Sequence, residues 1–357
     1  MKVIFDHQLF SYQRYGGASK YFAMLLNALP REEWETTTIW SNNEYVKSLH
    51  LFKQRHFLYK YYFRGQGALM NMLNKPYSYS VLSKKKYDVF HQTHFETYCI
   101  PAIGNKPMVT TFHDINFSTL NPSPRMVSLQ RKSLRRADAI IAISENTKND
   151  LVDLFKVDEK KVSVIHHGIL LNDTPRKDLS QFPFPYILYV GSRGHHKNFT
   201  KFIKAYAIFH DKYPDVRVVC TFIPFSGAEY DLFKSLHIEN CIIHTYADED
   251  LMQQLYKNAL FYIFPSLYEG FGMPILEAMA NKCPVLLANA SCFPEIAQNA
   301  GLYFDPNDIE EMSYKMSLMI EQPHLREQYI NLGWERVHDF TWEKCAAEHR
   351  KVYQSLI

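Results

Sequence analysis

Short, mostly apolar runs recur along the chain and alternate with longer stretches whose apolar positions follow a helical period. The first series of runs is KVIF (2–5), TTTIW (36–40), DVFHQ (88–92), PMVTTF (107–112) and AIIAI (139–143). The second is VSVI (162–165), YILYV (186–190), VRVVCTF (216–222), CIIHT (241–245), FYIF (261–264) and PVLLA (284–288). Residues 18–29, 125–137, 198–212 and 310–320 read as amphipathic helices. Strands without polar alternation suit parallel sheets covered on both faces, so the pattern predicts an α/β chain with sites at the carboxyl ends of its strands. The segment LLNDTPRKDLSQFPFP (170–185) is polar, holds three prolines, and reads as a linker. It predicts two doubly wound domains, 1–170 and 171–340, followed by a terminal helix within 341–357.

At 357 residues each domain has room for a full core. Aromatics at 15% exclude a disordered chain. The six cysteines are scattered with no CxxC, which reads as reduced thiols in a cytoplasmic protein. MKVIFDHQLF lacks the long apolar core of a signal peptide and reads as a first strand. No apolar run reaches the roughly 18 residues of a membrane span. A net charge of +3 gives no reason to expect nucleic acid as a partner.

The densest chemistry lies in FPSLYEGFGMPILEAMA (264–280). A buried strand runs into a glycine loop, and Pro274 fits the first turn of the helix that follows. Free N–H groups at such a helix start can hold an anion, while the carboxylates of Glu269 and Glu277 can accept bonds from several hydroxyls. An anionic, hydroxyl-rich ligand such as a sugar nucleotide fits both features. A tight turn with two exposed glutamates fits the residues equally well.

Other strand ends carry further candidates. In YVGSRGHHKN (189–198), Arg193 can fork onto a diphosphate and Lys197 can add a point charge, although a solvated basic turn would look the same. His195 and His196 between them read as solvent-facing. TFHDIN (111–116) sets His113 and Asp114 after a strand, where Asp114 could instead cap the next segment. YGGASKYF (15–22) pairs Gly16 with Gly17 at a helix start. HQTHFETY (91–98) supplies His91, His94 and Glu96, whose period-2 spacing suits site lining or solvent better than a metal set, with His94 and Glu96 read as acceptor-binding. In VIHHGI (164–169), His167 before Gly168 reads as a turn. The acids Asp248, Glu249 and Asp250 precede a helix and read as its cap rather than a metal site. FKQRHFLYKYYFR (52–64) mixes cations with rings and no acid, and reads either as a helix with a basic solvent face or as a contact for anionic lipid.

Taken in order along the chain, these segments resemble the family 4 retaining glycosyltransferases, similar to bacterial polysaccharide mannosyltransferases. The resemblance implies a GT-B fold: two Rossmann-like domains facing a cleft, with a C-terminal helix (FTWEKCAAEHRKVYQ, 340–354) crossing back to the first. It implies that Glu269 contacts the donor sugar and Glu277 the nucleotide ribose, with Gly270, Phe271 and Gly272 lining the sugar and diphosphate. Gly191, Arg193, Lys197 and Asn198 match the phosphate loop, Gly16 and Gly17 lie over the diphosphate, and His113 meets the sugar. His94, Glu96 and Asp114 fall on the acceptor side. Three departures stand out: Lys20 replaces a frequent Arg, His167 replaces the usual Asn before Gly168, and CTFIPFSG (220–227) replaces a glycine-rich stretch near the base pocket.

The expected activity is transfer of a hexose or deoxyhexose, with a lean to GDP-mannose, onto a glycan or lipid-linked acceptor in surface polysaccharide synthesis. No cofactor or metal is expected. A sugar-nucleotide epimerase, a phosphorylase, or a non-catalytic sugar-nucleotide-binding module are the competing readings.

Overall fold

β1 (Val3–Phe5), β2 (Trp34–Thr36), β3 (Val89–Gln92), β4 (Met108–Phe112), β5 (Ala139–Ala142) and β6 (Val162–Val164) form one sheet in a computed structural model that describes residues 1–61, 63–114, 123–171 and 182–357. Their order is β2-β1-β3-β4-β5-β6, with every pair parallel. A second parallel sheet holds β7 (Tyr186–Tyr189), β8 (Arg217–Cys220), β9 (Ile242–His244), β10 (Phe261–Phe264), β11 (Val285–Ala288) and β12 (Gly301–Phe304) in the order β12-β11-β10-β7-β8-β9. Seven of these strands, β1, β3, β4, β5, β7, β10 and β11, are buried at every position, as parallel strands covered by helices on both faces are, and β3 and β4 bury His91, Gln92, Thr110 and Thr111 among their apolar residues.

Two compact units result: Met1–Gly168 with Thr341–Ile357, and Ile169–Phe340. Most of the 170–185 linker lies outside the described residues.

Two strands differ from the sequence reading. The run 36–40 leaves the ladder after Thr36, because the amides of Ile39 and Trp40 both donate to the Asn74 side chain, at 3.0 and 2.9 Å. GLYF at 301–304 forms edge strand β12, although its glycine and mixed burial disguise it. The described residues of the basic-aromatic segment 52–64 do not form a helix. They form an irregular loop, held in part by a parallel bridge between Arg55 and Trp40.

The terminal helix Trp342–Gln354 packs on the helix Gly17–Ala28 within the first unit, and Trp342, Cys345, Ala346 and Tyr353 enter its core. Polar links fix it: Tyr21 Oη meets His349 Nε2 at 2.8 Å, Tyr353 Oη meets His91 Nδ1 at 2.7 Å, and Arg350 forks onto Glu33 at 2.7 and 2.8 Å. His91, expected at a site wall or in solvent, is therefore an interior residue, and its Nε2 bonds Thr111 at 2.9 Å. His167 is buried between Tyr21 and Trp342. Gly168 beside it is obligatory for space, since a Cβ there would lie 2.4 Å from the Trp342 backbone nitrogen.

Five of the six cysteines are buried and Cys241 is partly so; all are free thiols. No helix among the described residues is long and apolar enough to cross a membrane.

Candidate functional site

In the second sheet the chain starts at β7, builds outward to β9, then returns to place β10 on the other side of β7. Loops leaving two such central strands diverge and open a crevice at their carboxyl ends. The two loops here are the ones that carry GSRGHHKN and PSLYEGFG. Lys197, from the first, donates through Nζ to Glu269 Oε1 of the second at 2.5 Å. The ammonium also lies 5.5 Å from the Phe264 ring that ends β10. The backbone joins the loops as well, since Leu267 N donates to the His196 carbonyl at 2.7 Å. His195 is exposed as expected, but that bond leaves His196 partly buried. Ser291 fixes Glu269 from behind: its hydroxyl accepts from the Glu269 amide at 3.1 Å and donates to the Glu269 carbonyl at 2.7 Å.

Arg193 is almost fully enclosed, its side chain 3% exposed. Nε donates to Glu229 Oε1 at 2.5 Å and an Nη2 hydrogen goes to the Pro224 carbonyl at 2.7 Å. The Phe225 ring stacks against the guanidinium at 4.8 Å. Nη1 is buried and has no hydrogen-bond partner among the described residues. Glu229 also closes a capping box with Ser226 at the start of the helix Gly227–Ser235. Burial alone would raise the Glu229 carboxyl, yet bonds from Arg193 and Ser226 outweigh it and hold the group below the usual carboxylate range. Sequence reasoning missed this partner. The S-x-x-E spacing signals the cap, but nothing in it points to Arg193, 36 residues away.

The other second-unit candidates lie on the loops and helices that follow the strands of this sheet. Gly191 adopts φ +115° where β7 turns into its loop, and Gly272 adopts φ +91° at the start of the helix Met273–Ala280, with Pro274 in the first turn. Gly270 and Phe271 are buried, the latter against Phe340. Glu277 stands on that helix and accepts from Tyr256 Oη at 3.3 Å. The Asn198 side chain is buried and donates to the Pro306 carbonyl at 2.7 Å, so its amide anchors the start of the helix Phe199–Lys212. Asp248 caps the helix Glu249–Asn258 by accepting from Leu251 N at 2.9 Å. In the atypical stretch after β8, Phe222 takes φ +90° and is 58% exposed, a conformation costly for any side chain but glycine.

The first unit brings its own candidates to the carboxyl ends of β1, β3 and β4. The helix Gly17–Ala28 starts at Gly16, where the Gln13 side chain accepts from the Ser19 amide at 3.0 Å. A Cβ on Gly16 would collide with that Gln13 group at 2.3 Å, whereas Gly17 faces open space. Lys20 lies 5.8 Å from the Tyr45 ring. His113 is partly buried, packs edge-on to Tyr21 at 4.8 Å, and has a buried Nε2 with no hydrogen-bond partner among the described residues. Burial first, and His94 second, push its imidazole down to about 3, so the ring is neutral. Asp114 is partly buried, and the segment it could cap lies outside the described residues.

His94 rests between Tyr12 and Phe95, its imidazole pushed down to about 4 by burial. Glu96 accepts from Tyr12 Oη at 2.7 Å, Lys75 Nζ at 2.8 Å and Asn71 Nδ2 at 3.1 Å. Burial would raise its carboxyl, but those donors keep it lowered. Behind them Asp6 is wholly buried, bonded to Thr93 and Gln8, and burial pushes it up to about 7.

Known proteins resemble this chain in sequence and in fold. Residues 15–173 match the model for Glycosyltransferase Family 4, and residues 173–336 match that for Glycosyl transferases group 1. The chain is 28% identical over 268 residues to O-antigen chain mannosyltransferase B of Escherichia coli, covering 70% of each. It is 29% identical over 197 residues to O-antigen chain mannosyltransferase RfbU of Salmonella typhimurium, covering 54% of each, so only about half of that relative is spanned. The crystal structure of Anabaena Alr3699/HepE in complex with UDP superposes with a TM-score of 0.76 at 19% identity, covering 99% of this chain and 100% of that one, a likeness of fold. The fold is GT-B, and the chain belongs to the glycosyltransferases, joining a family 4 first half to a group 1 second half.

Proposed function

We propose that this glycosyltransferase moves a mannosyl residue from GDP-mannose, with retention of configuration, onto a glycan or lipid-linked glycan acceptor at the cytoplasmic side of surface polysaccharide synthesis. The observation that carries the donor-site reading is the meeting of Lys197 and Glu269 across the loops of β7 and β10, with Arg193 fixed alongside in the first loop. An ammonium has three donors and the Glu269 bond uses one, leaving Lys197 able to take a phosphate oxygen. A buried guanidinium N–H without a partner is a donor that a bound anion would complete. Two cations held in place by carboxylates are preorganised to stabilise charge that builds on a departing diphosphate. Glu269 is then a sugar-hydroxyl acceptor and Glu277 a ribose acceptor, with the Gly270–Gly272 backbone beside them. His113, neutral at working pH, can donate or accept one bond to the sugar without adding charge.

In the proposed step the bond between the anomeric carbon and the diphosphate oxygen breaks. The acceptor hydroxyl attacks from the same face, and its proton passes to the leaving phosphate oxygen. Glu269 is bound to Lys197, which suits a sugar contact better than a covalent nucleophile. His94, Glu96 and Asp114 are assigned to the acceptor side. The mannosyl assignment leans on the activity of the two O-antigen chain mannosyltransferases that the chain resembles. Metal-independent turnover belongs to the same proposal.

The test is a thermal-shift screen of GDP-, UDP-, dTDP- and ADP-sugars, with Glu277→Ala as control, followed by turnover with and without chelator. A donor at a hundredfold excess over its Kd raises stability by about 2.7 kcal/mol. A shift with GDP-mannose, lost in Glu277→Ala, and an α-linked product by NMR are expected. A shift confined to another nucleotide would overturn the donor assignment, inversion at the anomeric centre would overturn the mechanism, and chelator-sensitive turnover restored by magnesium would overturn metal independence.

A further inference from the structure

The helix Gln66–Ser83 buries several polar side chains and leaves several of its large apolar ones outside, with Ser80 and Ser83 among the exposed residues. Asn71, Asn74 and Ser78 are buried with Met70 and Leu82. Asn74 donates to Ser11 Oγ and the Trp40 carbonyl at 2.8 and 2.7 Å, Asn71 donates to Tyr12 Oη at 2.8 Å, and Ser78 Oγ meets Thr37 Oγ1 at 2.8 Å. Ala68, Met72, Leu73, Pro76, Tyr77 and Tyr79 are all exposed. At about 100° per residue they fall on one half of the helix wheel and the buried polar set on the other. The exposed half carries no charge; the one charged residue of the helix, Lys75, is turned to Glu96.

Cations bracket this face. Lys60 and Arg64 are exposed before the helix, and Lys84, Lys85 and Lys86 after it. Between Glu44 and Asp88 the sequence holds nine Lys or Arg and no acid, in a chain whose net charge is only +3. The preceding loop is fixed to the helix: Gln66 Nε2 donates to the carbonyls of Phe57, Leu58 and Tyr61 at 2.9, 3.2 and 3.1 Å, holding exposed Leu58 and Tyr61 beside its start.

We infer that the outer face of Gln66–Ser83, with the cations at both its ends, docks flat on an anionic lipid surface. A helix of 18 residues lies about 27 Å along that plane, its methionine, leucine and tyrosines at headgroup depth and its flanking cations on lipid phosphates. Charge decides against a second copy of the chain as the cover. A two-fold pairing of this helix sets Arg64 and Lys60 of one copy against Lys84–Lys86 of the other, which is repulsive. The contact differs from the one read in the sequence: the described residues of segment 52–64 form no amphipathic helix, and contribute cations and a loop tip only. The inference stands apart from glycosyl transfer and does not depend on the donor assignment.

The test uses the full chain in vesicle sedimentation, with phosphatidylcholine alone or mixed with phosphatidylglycerol, at low and high salt. Wild type should pellet with the anionic vesicles and be released by salt. Lys84→Glu, Lys85→Glu and Lys86→Glu together should weaken binding by about tenfold or more, and Met72→Asp with Tyr77→Asp should abolish it. All of these residues are exposed, so thermal unfolding and nucleotide-induced stabilisation should stay at wild-type levels. Failure to pellet at low salt, binding unaffected by either set, or a concentration-dependent dimer that Met72→Asp with Tyr77→Asp breaks would each overturn the inference.

Discussion

Lys197 and Glu269 stand 72 residues apart in sequence and meet at 2.5 Å, tying the loop of β7 to the loop of β10. That contact turns two separate motif matches into one site. Lys197→Ala should lower kcat by about 100-fold, the usual loss when a positioned transition-state donor is removed. The two side chains keep only 17% and 16% exposure, so the loss of Lys197 leaves Glu269 poorly solvated and the stability cost should be about 2 kcal/mol. Steady-state kinetics beside urea denaturation separate the effects; a large stability loss with kcat preserved would assign the pair a structural role instead.

Glu229 is expected to matter more for stability than for chemistry. Glu229→Ala strands the Arg193 charge, which is 3% exposed, and should cost about 3 kcal/mol. Ser226→Ala removes only the cap and should cost about 1 kcal/mol. Equal losses in the two variants, measured by urea unfolding, would show that the cap and not the ion pair carries the effect.

Acid should weaken the first unit. His7, His91, His94, His113, His167 and His349 are all held below their usual value by burial, to about 4 for His7, His94 and His349 and about 3 for His113. Above about 6.5 these imidazoles are neutral in both states and contribute no pH dependence. As pH falls from 6.5 towards 4, the unfolded chain takes up protons that the folded one refuses, so stability falls by up to about 1.4 kcal/mol per pH unit for each histidine. Asp6 works in the opposite direction, because its carboxyl is pushed up to about 7 and folding favours its protonated form. Six groups against one make acid destabilisation the net outcome. A Tm that stays level between pH 7 and pH 5 would contradict it.

Gly168→Ala should loosen the terminal helix. The added Cβ meets the Trp342 backbone nitrogen at 2.4 Å, and a backbone atom cannot step aside as a side-chain tip can. A loss of about 2 kcal/mol is expected. Hydrogen exchange should show the earliest loss of protection in Trp342–Gln354, and unchanged protection there would mean the contact relaxes elsewhere.

Much of this protein is determined by local sequence. Ten of the apolar runs became parallel strands because an uninterrupted run buried on both faces has few other places to go. The glycine, proline and acidic cap residues put Gly272, Pro274 and Asp248 at helix starts through backbone chemistry that acts within a turn. The run 36–40 and the segment 52–64 defeated that logic because side chains outside each of them take up their backbone groups: Asn74 takes the amides of Ile39 and Trp40, and Gln66 gathers the carbonyls of Phe57, Leu58 and Tyr61. The sequence nominated Arg193, Lys197, Glu269 and Glu277, while the order of strands in the second sheet decided that Lys197 meets Glu269 and that Arg193 is held by Glu229. Which face of Gln66–Ser83 turns outward was likewise a tertiary decision. Asparagine and serine can be buried when partners such as Ser11, Trp40 and Thr37 await them, and no pattern within the helix reveals partners that lie elsewhere in the chain.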